Sequence, residues 1–277
     1  MNCKEALTNH HSHSNQPQGC NLPRVWWCAT GPLAFLPIHA AGIYTTDIIG
    51  EKISDYVISS YTPTVSALLQ ARRPPNPTPT TFKILAITQP QTPGYNPLPQ
   101  TIKEVEKLQQ SLRGLPLDKL EGSEGSTERV LKGMAEYPWV HFACHGAQDI
   151  QDPTESALLL ADGKLNLATI VKQPLPHADF AFLSACQTAM GDTKLEEEAV
   201  HLAAGMLLAG YRSVIATMWA ISDADGPVVA EAVYQVMLTD GQPDHTRAGE
   251  ALHWAVQKLR QSGASFLSWL PFIHMGA

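Results

Sequence analysis

Two apolar runs of strand length each end on a residue suited to nucleophilic chemistry. Trp139-Val140-His141-Phe142-Ala143-Cys144-His145-Gly146 ends on a histidine followed by glycine. Asp179-Phe180-Ala181-Phe182-Leu183-Ser184-Ala185-Cys186-Gln187-Thr188 ends on a cysteine followed by polar residues. A free thiol, with a pKa of about 8.5, is only slightly ionised at neutral pH. A neighbouring imidazole raises that fraction and can later protonate a leaving amine. If the runs are adjacent strands of a parallel sheet, His145 and Cys186 emerge together at its carboxyl edge, where open α/β sheets place their ligand sites. Gly146 offers a backbone N–H unobstructed by a side chain, and with the N–H of Cys186 it makes a candidate oxyanion hole. The small Ser184, Ala185 and Ala189 leave room around the sulfur.

Other readings of the reactive residues are weaker or blander. Cysteines at strand ends are commonly buried and inert, and a lone histidine is commonly structural, so residue types alone leave an inert pair open. Strand alternation turns Cys144 to the face opposite His145. His141 and His145 have the H-x-x-x-H spacing of a zinc helix, but their segment reads as a strand and lacks the glutamate of H-E-x-x-H. Gly122-Ser123-Glu124-Gly125-Ser126 has no strand before it and no lysine after it, so it is not a phosphate loop. Cys28 and His39 form a second nominal pair, for which a buried thiol and a hydrogen-bonded core histidine is the favoured reading. His10, His11 and His13 lie in a polar segment, residues 1–23, without periodicity, which is expected to be disordered. No metal or cofactor is expected.

The surroundings are those of a globular protein. The 277 residues are 44% hydrophobic and 16% charged, enough for a substantial core, and the net charge of −7 argues against nucleic acid or an anionic membrane as partner. Cys3, Cys20, Cys28, Cys144 and Cys186 are odd in number and irregularly spaced, so they make no disulfide framework and point to a reduced compartment. The first residues carry no apolar signal core, and the longest apolar stretch, 199–210, is too short to span a bilayer. A soluble, cytoplasmic protein is expected.

Local patterns supply the elements that would position the pair. Residues 24–29 and Leu33-Ala34-Phe35-Leu36-Pro37 read as two strands about a Gly31-Pro32 turn, 55–61 as a strand, and 64–71 as a helix capped by Thr64. Residues 73–80 form a proline-rich connector, and the short segment 24–72 is expected to dock as a β-rich extension on the larger segment beyond that connector. The larger segment opens with a strand at 82–88, a helix over 102–112 and a loop at 122–127. A helix capped by Ser126 or Thr127 leads into the His145 strand. Asp162-Gly163 marks a hairpin between 157–160 and 164–167. The Cys186 strand is followed by a helix over 195–208, with Glu196 to Glu198 in its first turn and Gly210 at its end. A strand over 211–219, helices over 227–238 and 246–261, and an apolar packing tail at 266–273 complete the chain. Strands alternating with helices predict an α/β fold with a mainly parallel sheet covered on both faces.

Several of these stretches together resemble a known family. His141-Phe142-Ala143-Cys144-His145-Gly146, Leu183-Ser184-Ala185-Cys186-Gln187-Thr188-Ala189 and Ala204-Gly205-Met206-Leu207-Leu208-Ala209-Gly210-Tyr211-Arg212-Ser213-Val214-Ile215-Ala216-Thr217-Met218-Trp219, with Asp223 behind, resemble the CHAT domain. That family is similar to the caspase, separase and gingipain-like cysteine peptidases. The likeness runs from Arg24 to the last residues and includes Leu36-Pro37-Ile38-His39-Ala40-Ala41-Gly42. It implies a caspase-like three-layer α/β sandwich over 24–277 and hydrolysis of protein or peptide substrates by a His–Cys dyad. His145 matches the catalytic histidine and Cys186 the nucleophile, with no third acid required.

Trp219-Ala220-Ile221-Ser222-Asp223 also matches the Trp-x-x-x-Asp stretch of the separase branch. That match implies that Asp223, beside Trp219, lines a pocket for a basic P1 side chain. Asp223 is read equally well as a helix N-cap ahead of Pro227. CHAT domains often follow helical repeats, and this chain shows no internal repeat with a period of about 20–50 residues. Recognition would then fall to a separate activator or repeat-containing partner chain, or the sequence is cut from a longer product. The alternative of another class is a catalytically silent caspase-like module used for protein–protein signalling.

Overall fold

The computed structural model describes residues 22–46, 48–74, 82–112, 114–147, 149, 152–187, 199–238 and 241–277, with the backbone alone at 185–187 and 199–201. Its centre is built from the most apolar runs. Ile84–Thr88 (β3), Trp139–Ala147 (β5), Phe180–Gln187 (β8) and Ser213–Thr217 (β9) lie side by side and parallel, in the order β3-β5-β8-β9. Phe272–Gly276 (β10) adds antiparallel to β9, and Ile58–Tyr61 (β2) and Arg24–Trp27 (β1) continue the same sheet beyond it. Leu117–Glu121 (β4) closes the other edge. The hairpin Ala157–Leu160 (β6) and Gly163–Asn166 (β7) pairs with β5 at 145–147, beyond the point where β3 ends.

Helices cover both faces because alternate residues of the central strands are apolar on both. Ala86, Phe180, Phe182 and Ile215 pack under Gln100–Ser111 (α2), Gly226–Met237 (α6) and Ala248–Gln261 (α7). Leu85, Phe142, Cys144 and Leu183 pack under Thr127–Glu136 (α3), Leu167–Val171 (α4) and Ala199–Leu208 (α5). Val65–Ala71 (α1) and the short Phe266–Trp269 (α8) complete the helices among the described residues. The result is the three-layer, mainly parallel sandwich expected from the strand–helix alternation. Thr64 caps α1 through Ala67 N–H, and the Ser126 hydroxyl accepts from Arg129 N–H at the start of α3.

Some expectations are corrected. Leu33–Pro37 is not a strand: Gly31–Phe35 winds into a 3₁₀ turn with Pro32 at its start and no buried residue. The Gly122–Thr127 loop opens with a further 3₁₀ turn, Gly122–Glu124. The apolar tail 266–273 does not pack as one piece: Phe266–Trp269 is α8, with Phe266 and Leu267 exposed, and only Phe272 and Ile273 enter the buried strand β10. Cys28 is exposed rather than a buried thiol. His39 does satisfy both ring nitrogens: Nε2–H donates to the Leu270 carbonyl (3.0 Å), and the Tyr61 hydroxyl donates to Nδ1 (2.8 Å). Burial pushes the His39 imidazole down to about 4, against the opposing pull of the Leu270 carbonyl, so it is neutral near pH 7. Residues 1–21, most of the proline-rich connector, Thr188, Ala189 and Glu196 to Glu198 lie outside the described residues.

One polar anchor holds the amino ends of the central strands together. Asp179 accepts from the Trp139 indole N–H (2.8 Å), and its other oxygen lies 3.0 Å from His245 Nδ1 and 3.3 Å from an Arg212 guanidinium nitrogen. Burial alone would raise this carboxyl; His245, Trp139 and Arg212 together outweigh that and hold it below its usual range. A depressed folded-state pKa gives stability that is full above the unfolded value of about 3.9 and is lost as pH falls through the folded one. Asp179→Asn is therefore expected to lower stability by about 2 kcal/mol at neutral pH. Urea titrations of wild type and variant should differ near pH 7 and converge as pH falls through the depressed folded-state value.

Candidate active site

The sheet register brings the two reactive residues together. In the parallel pair β5–β8, Trp139 lies opposite Phe180, His141 opposite Phe182, Ala143 opposite Ser184, and His145 opposite Cys186. Each matched pair shares one face of the sheet, so His145 and Cys186 stand on the face covered by α2, α6 and α7, at the carboxyl end of both strands. Cys144 faces the other way, into the opposite core. The Cys186 backbone is thus fixed one strand away from His145, while its side chain lies outside the described residues.

His145 is fully buried and held from the loop between β3 and α2. Its Nε2 lies 2.8 Å from the carbonyl oxygen of Asn96. A carbonyl only accepts, so Nε2 carries the proton and the neutral ring has its basic lone pair on Nδ1. Tyr95 lies against the imidazole, with ring centroids 5.3 Å apart. Gly146 is in register with Gln187 on one side and Leu158 of β6 on the other. It follows His145 directly, at the register position just beyond Cys186.

Trp219 and Asp223 lie in the connection from β9 to α6, which leaves the sheet at the same carboxyl edge. In the β8–β9 register Phe182 opposite Ile215 is the last matched pair, and Trp219 follows two residues after β9 ends. Trp219 is half-buried, and its indole N–H has no hydrogen-bond partner among the described residues. Asp223 does not cap the helix ahead of Pro227; Asp225 occupies that position. Instead Asp223 Oδ2 accepts from the backbone N–H of Gln100 (2.9 Å), the first residue of α2. Loop 218–225, which carries Trp219 and Asp223, is therefore tied to the start of α2, directly after loop 89–99, whose Asn96 carbonyl holds His145.

A family model for the CHAT domain matches residues 4–277. The chain belongs to the CHAT domain family. Solved structures agree at the level of fold. The Arg-specific cysteine proteinase gingipain R matches with a TM-score of 0.51 at 13% identity, over 83% of this chain and 56% of that one. The complex of Porphyromonas gingivalis RgpB pro- and mature domains matches with a TM-score of 0.52 at 13% identity, over 79% and 55%. The Saccharomyces cerevisiae separase–securin complex matches with a TM-score of 0.54 at 16% identity, over 81% and 14%. No curated protein matches the sequence. This CHAT domain thus has a caspase-like fold and spans about half of the gingipain chain and a seventh of the separase chain. Among the described residues, no helix of the CHAT domain is long and apolar enough to cross a membrane, and no group of three or more His, Cys, Asp or Glu side chains could hold a metal ion.

Sequence reasoning missed Tyr95 and Asn96, which contact His145, and the buried Glu104 of α2 and Tyr234 of α6, which contact Ser184 and His141 on the same face of the sheet. Asn96 acts through a backbone carbonyl, which no side-chain pattern announces. Glu104 had a signal: it shares the buried stripe of α2 with Thr101, Val105 and Leu108, where a carboxylate is out of place.

Proposed function

We propose that this CHAT domain is a cysteine endopeptidase in which Cys186 is the nucleophile and His145 the base. The observation that carries the reading is the register: His145 and Cys186 are matched residues of adjacent parallel strands at the sheet's carboxyl edge. The Asn96 carbonyl adds support, because it directs the basic Nδ1 of His145 away from the loop. His145 takes the thiol proton on Nδ1, and the Cys186 sulfur attacks the scissile carbonyl. Gly146 N–H and Cys186 N–H stabilise the oxyanion. The imidazolium then protonates the departing amine, and a water activated by the same nitrogen hydrolyses the thioester. The substrate is a protein or peptide chain, the setting cytoplasmic, and a separate activator or repeat-containing chain supplies further recognition.

Asp223, with Trp219 beside it, selects Arg or Lys at P1. One carboxylate oxygen is held by Gln100 N–H, which fixes its direction, while the acid can still pair with a basic side chain. In a peptide-library cleavage profile, Asp223→Ala is expected to lower the preference for basic P1 residues about 10- to 100-fold, the cost of one charge-assisted hydrogen bond. A profile without basic preference, or one unchanged in the variant, removes Asp223 from the pocket. Hydrolysis of that library by the wild-type chain, alone and with candidate activators, tests the activity itself against Cys186→Ala.

A further inference from the structure

Directly beneath the candidate dyad, the helix-covered face of β5 and β8 carries a polar group in otherwise apolar surroundings. Ala86, His141, Phe182 and Ile215 form one row across the sheet, Thr88, Ala143 and Ser184 the next, and His145 with Cys186 the last. Into the first two rows α2 sends Glu104, only 2% exposed. Its Oε2 accepts from the Ser184 hydroxyl (3.1 Å), and its Oε1 lies 3.2 Å from His141 Nε2. On the other side of that imidazole, the Tyr234 hydroxyl of α6 is 3.2 Å from Nδ1, and Phe182 stacks on the ring at 4.9 Å. Burial, reinforced by the Glu104 charge, holds the Tyr234 phenol protonated to well above its usual range, so its hydroxyl is able to donate to or accept from His141 Nδ1. His141 Nε2 and Glu104 Oε1 face each other at that distance without hydrogen-bond alignment, each otherwise unpartnered among the described residues. Gly226, the first residue of α6, closes over the carboxylate: a Cβ there would lie 2.8 Å from Glu104 Oε2 and 2.7 Å from Ser184 Oγ.

Desolvating a carboxylate and an imidazole is costly, and apolar residues of similar volume are often as stabilising or more so. What an apolar trio cannot supply is direction. One carboxylate here is hydrogen-bonded to Ser184, two residues before Cys186, and stands against His141, four residues before His145. We infer that Glu104 is a positioning residue for the dyad, fixing the strand ends that carry Cys186 and His145 relative to each other. It also links them to the rest of the site. Gln100, whose N–H is held by Asp223, lies one helical turn before Glu104 on the same helix. The inference rests on the peptidase reading, because it needs Cys186 to be activated by His145.

The experiment tracks alkylation of Cys186 by iodoacetamide in the full chain, read by peptide mass spectrometry between about pH 5 and 9. The exposed Cys28 serves as the internal control. In folded Glu104→Leu, Cys186 alkylation at neutral pH should slow about tenfold or more, and its pH profile should move up toward that of an isolated thiol. Ser184→Ala should shift the same way by less, Glu104→Gln should recover part of the rate by still accepting from Ser184, and Cys28 should react as in wild type. Thermal melts establish that each variant is folded at the assay temperature, and Glu104→Gln and Ser184→Ala decide the matter if Glu104→Leu does not fold. Folded variants with a lower melting temperature but wild-type Cys186 rate and profile would reduce Glu104 to a structural role and overturn the inference. If wild-type Cys186 reactivity is already independent of His145, the dyad fails first and the inference falls with it.

Discussion

Cys186→Ala is expected to leave peptide cleavage at the uncatalysed background, and His145→Ala to lower it by about 10²- to 10⁴-fold. The asymmetry comes from the two roles. Without the sulfur there is no covalent route, and water is not positioned to replace it. Without the imidazole the sulfur remains, but it is only slightly ionised at neutral pH and no acid meets the departing amine. His145 is one strand away from Cys186, with its ring direction set by the Asn96 carbonyl and the Tyr95 face. A glutamine at 145 would fill similar space without acting as a base, so His145→Gln should resemble His145→Ala. Steady-state cleavage of one peptide substrate by the three variants and wild type checks the prediction. Retention of more than a tenth of the wild-type rate in His145→Gln would show that the histidine is not the base.

Trp139→Ala is expected to have the largest effect on stability, a loss of about 3–5 kcal/mol. Trp139 opens the strand that ends at His145 and is completely buried. Its ring meets Phe82 edge-on (5.1 Å), Phe180 (5.0 Å) and Tyr234 (6.3 Å), so truncation leaves a cavity bordered by three aromatic rings. The loss is compounded at the indole N–H, the donor to Asp179 Oδ2. Arg212 and His245 remain on the other oxygen, so the carboxylate keeps its charge partners and loses one hydrogen bond. Denaturant titration measures the loss directly. Trp139→Phe should recover most of it while still lacking the bond to Asp179, and a Trp139→Ala loss below about 1 kcal/mol would contradict the packing described.

The central sheet was legible because β3, β5, β8 and β9 are buried on both faces and read as unbroken apolar runs. The hairpin at Asp162-Gly163 and the caps Thr64 and Ser126 were legible through turn and capping chemistry. β4 was not: as an edge strand it carries Asp118, Lys119 and Glu121, charges that discourage further pairing and erase the apolar signal. Leu33 to Phe35 misled in the opposite sense. Its residues are apolar, but Pro32 starts a 3₁₀ turn that leaves Leu33 and Phe35 exposed. β10 is hidden because only Phe272 and Ile273 belong to the apolar tail 266–273 and His274 interrupts the pattern beyond them; His274 is satisfied by Ser60 and Ser213, partners 214 and 61 residues away in sequence.

The candidate site shows the same division. The adjacency of His145 and Cys186 was legible because each ends an apolar run of strand length, and parallel neighbours bring such ends to one edge. Asp223 was legible as a capping residue, but the helix it serves begins 123 residues earlier in the chain. The Glu104 network is hidden because the apolar spacing of α2 marks its buried stripe without distinguishing the one carboxylate that lies on it.

The most direct test is where a covalent bond forms. The wild-type chain is treated with a peptide acyloxymethyl ketone bearing arginine at P1, with and without candidate activators, and the adduct is mapped by mass spectrometry. A single adduct on Cys186, absent in Cys186→Ala and strongly reduced in His145→Ala, is the expected result. Labelling that survives Cys186→Ala, or that falls on Cys28 or Cys144 instead, would contradict the dyad and leave the caspase-like fold in a role other than peptide hydrolysis.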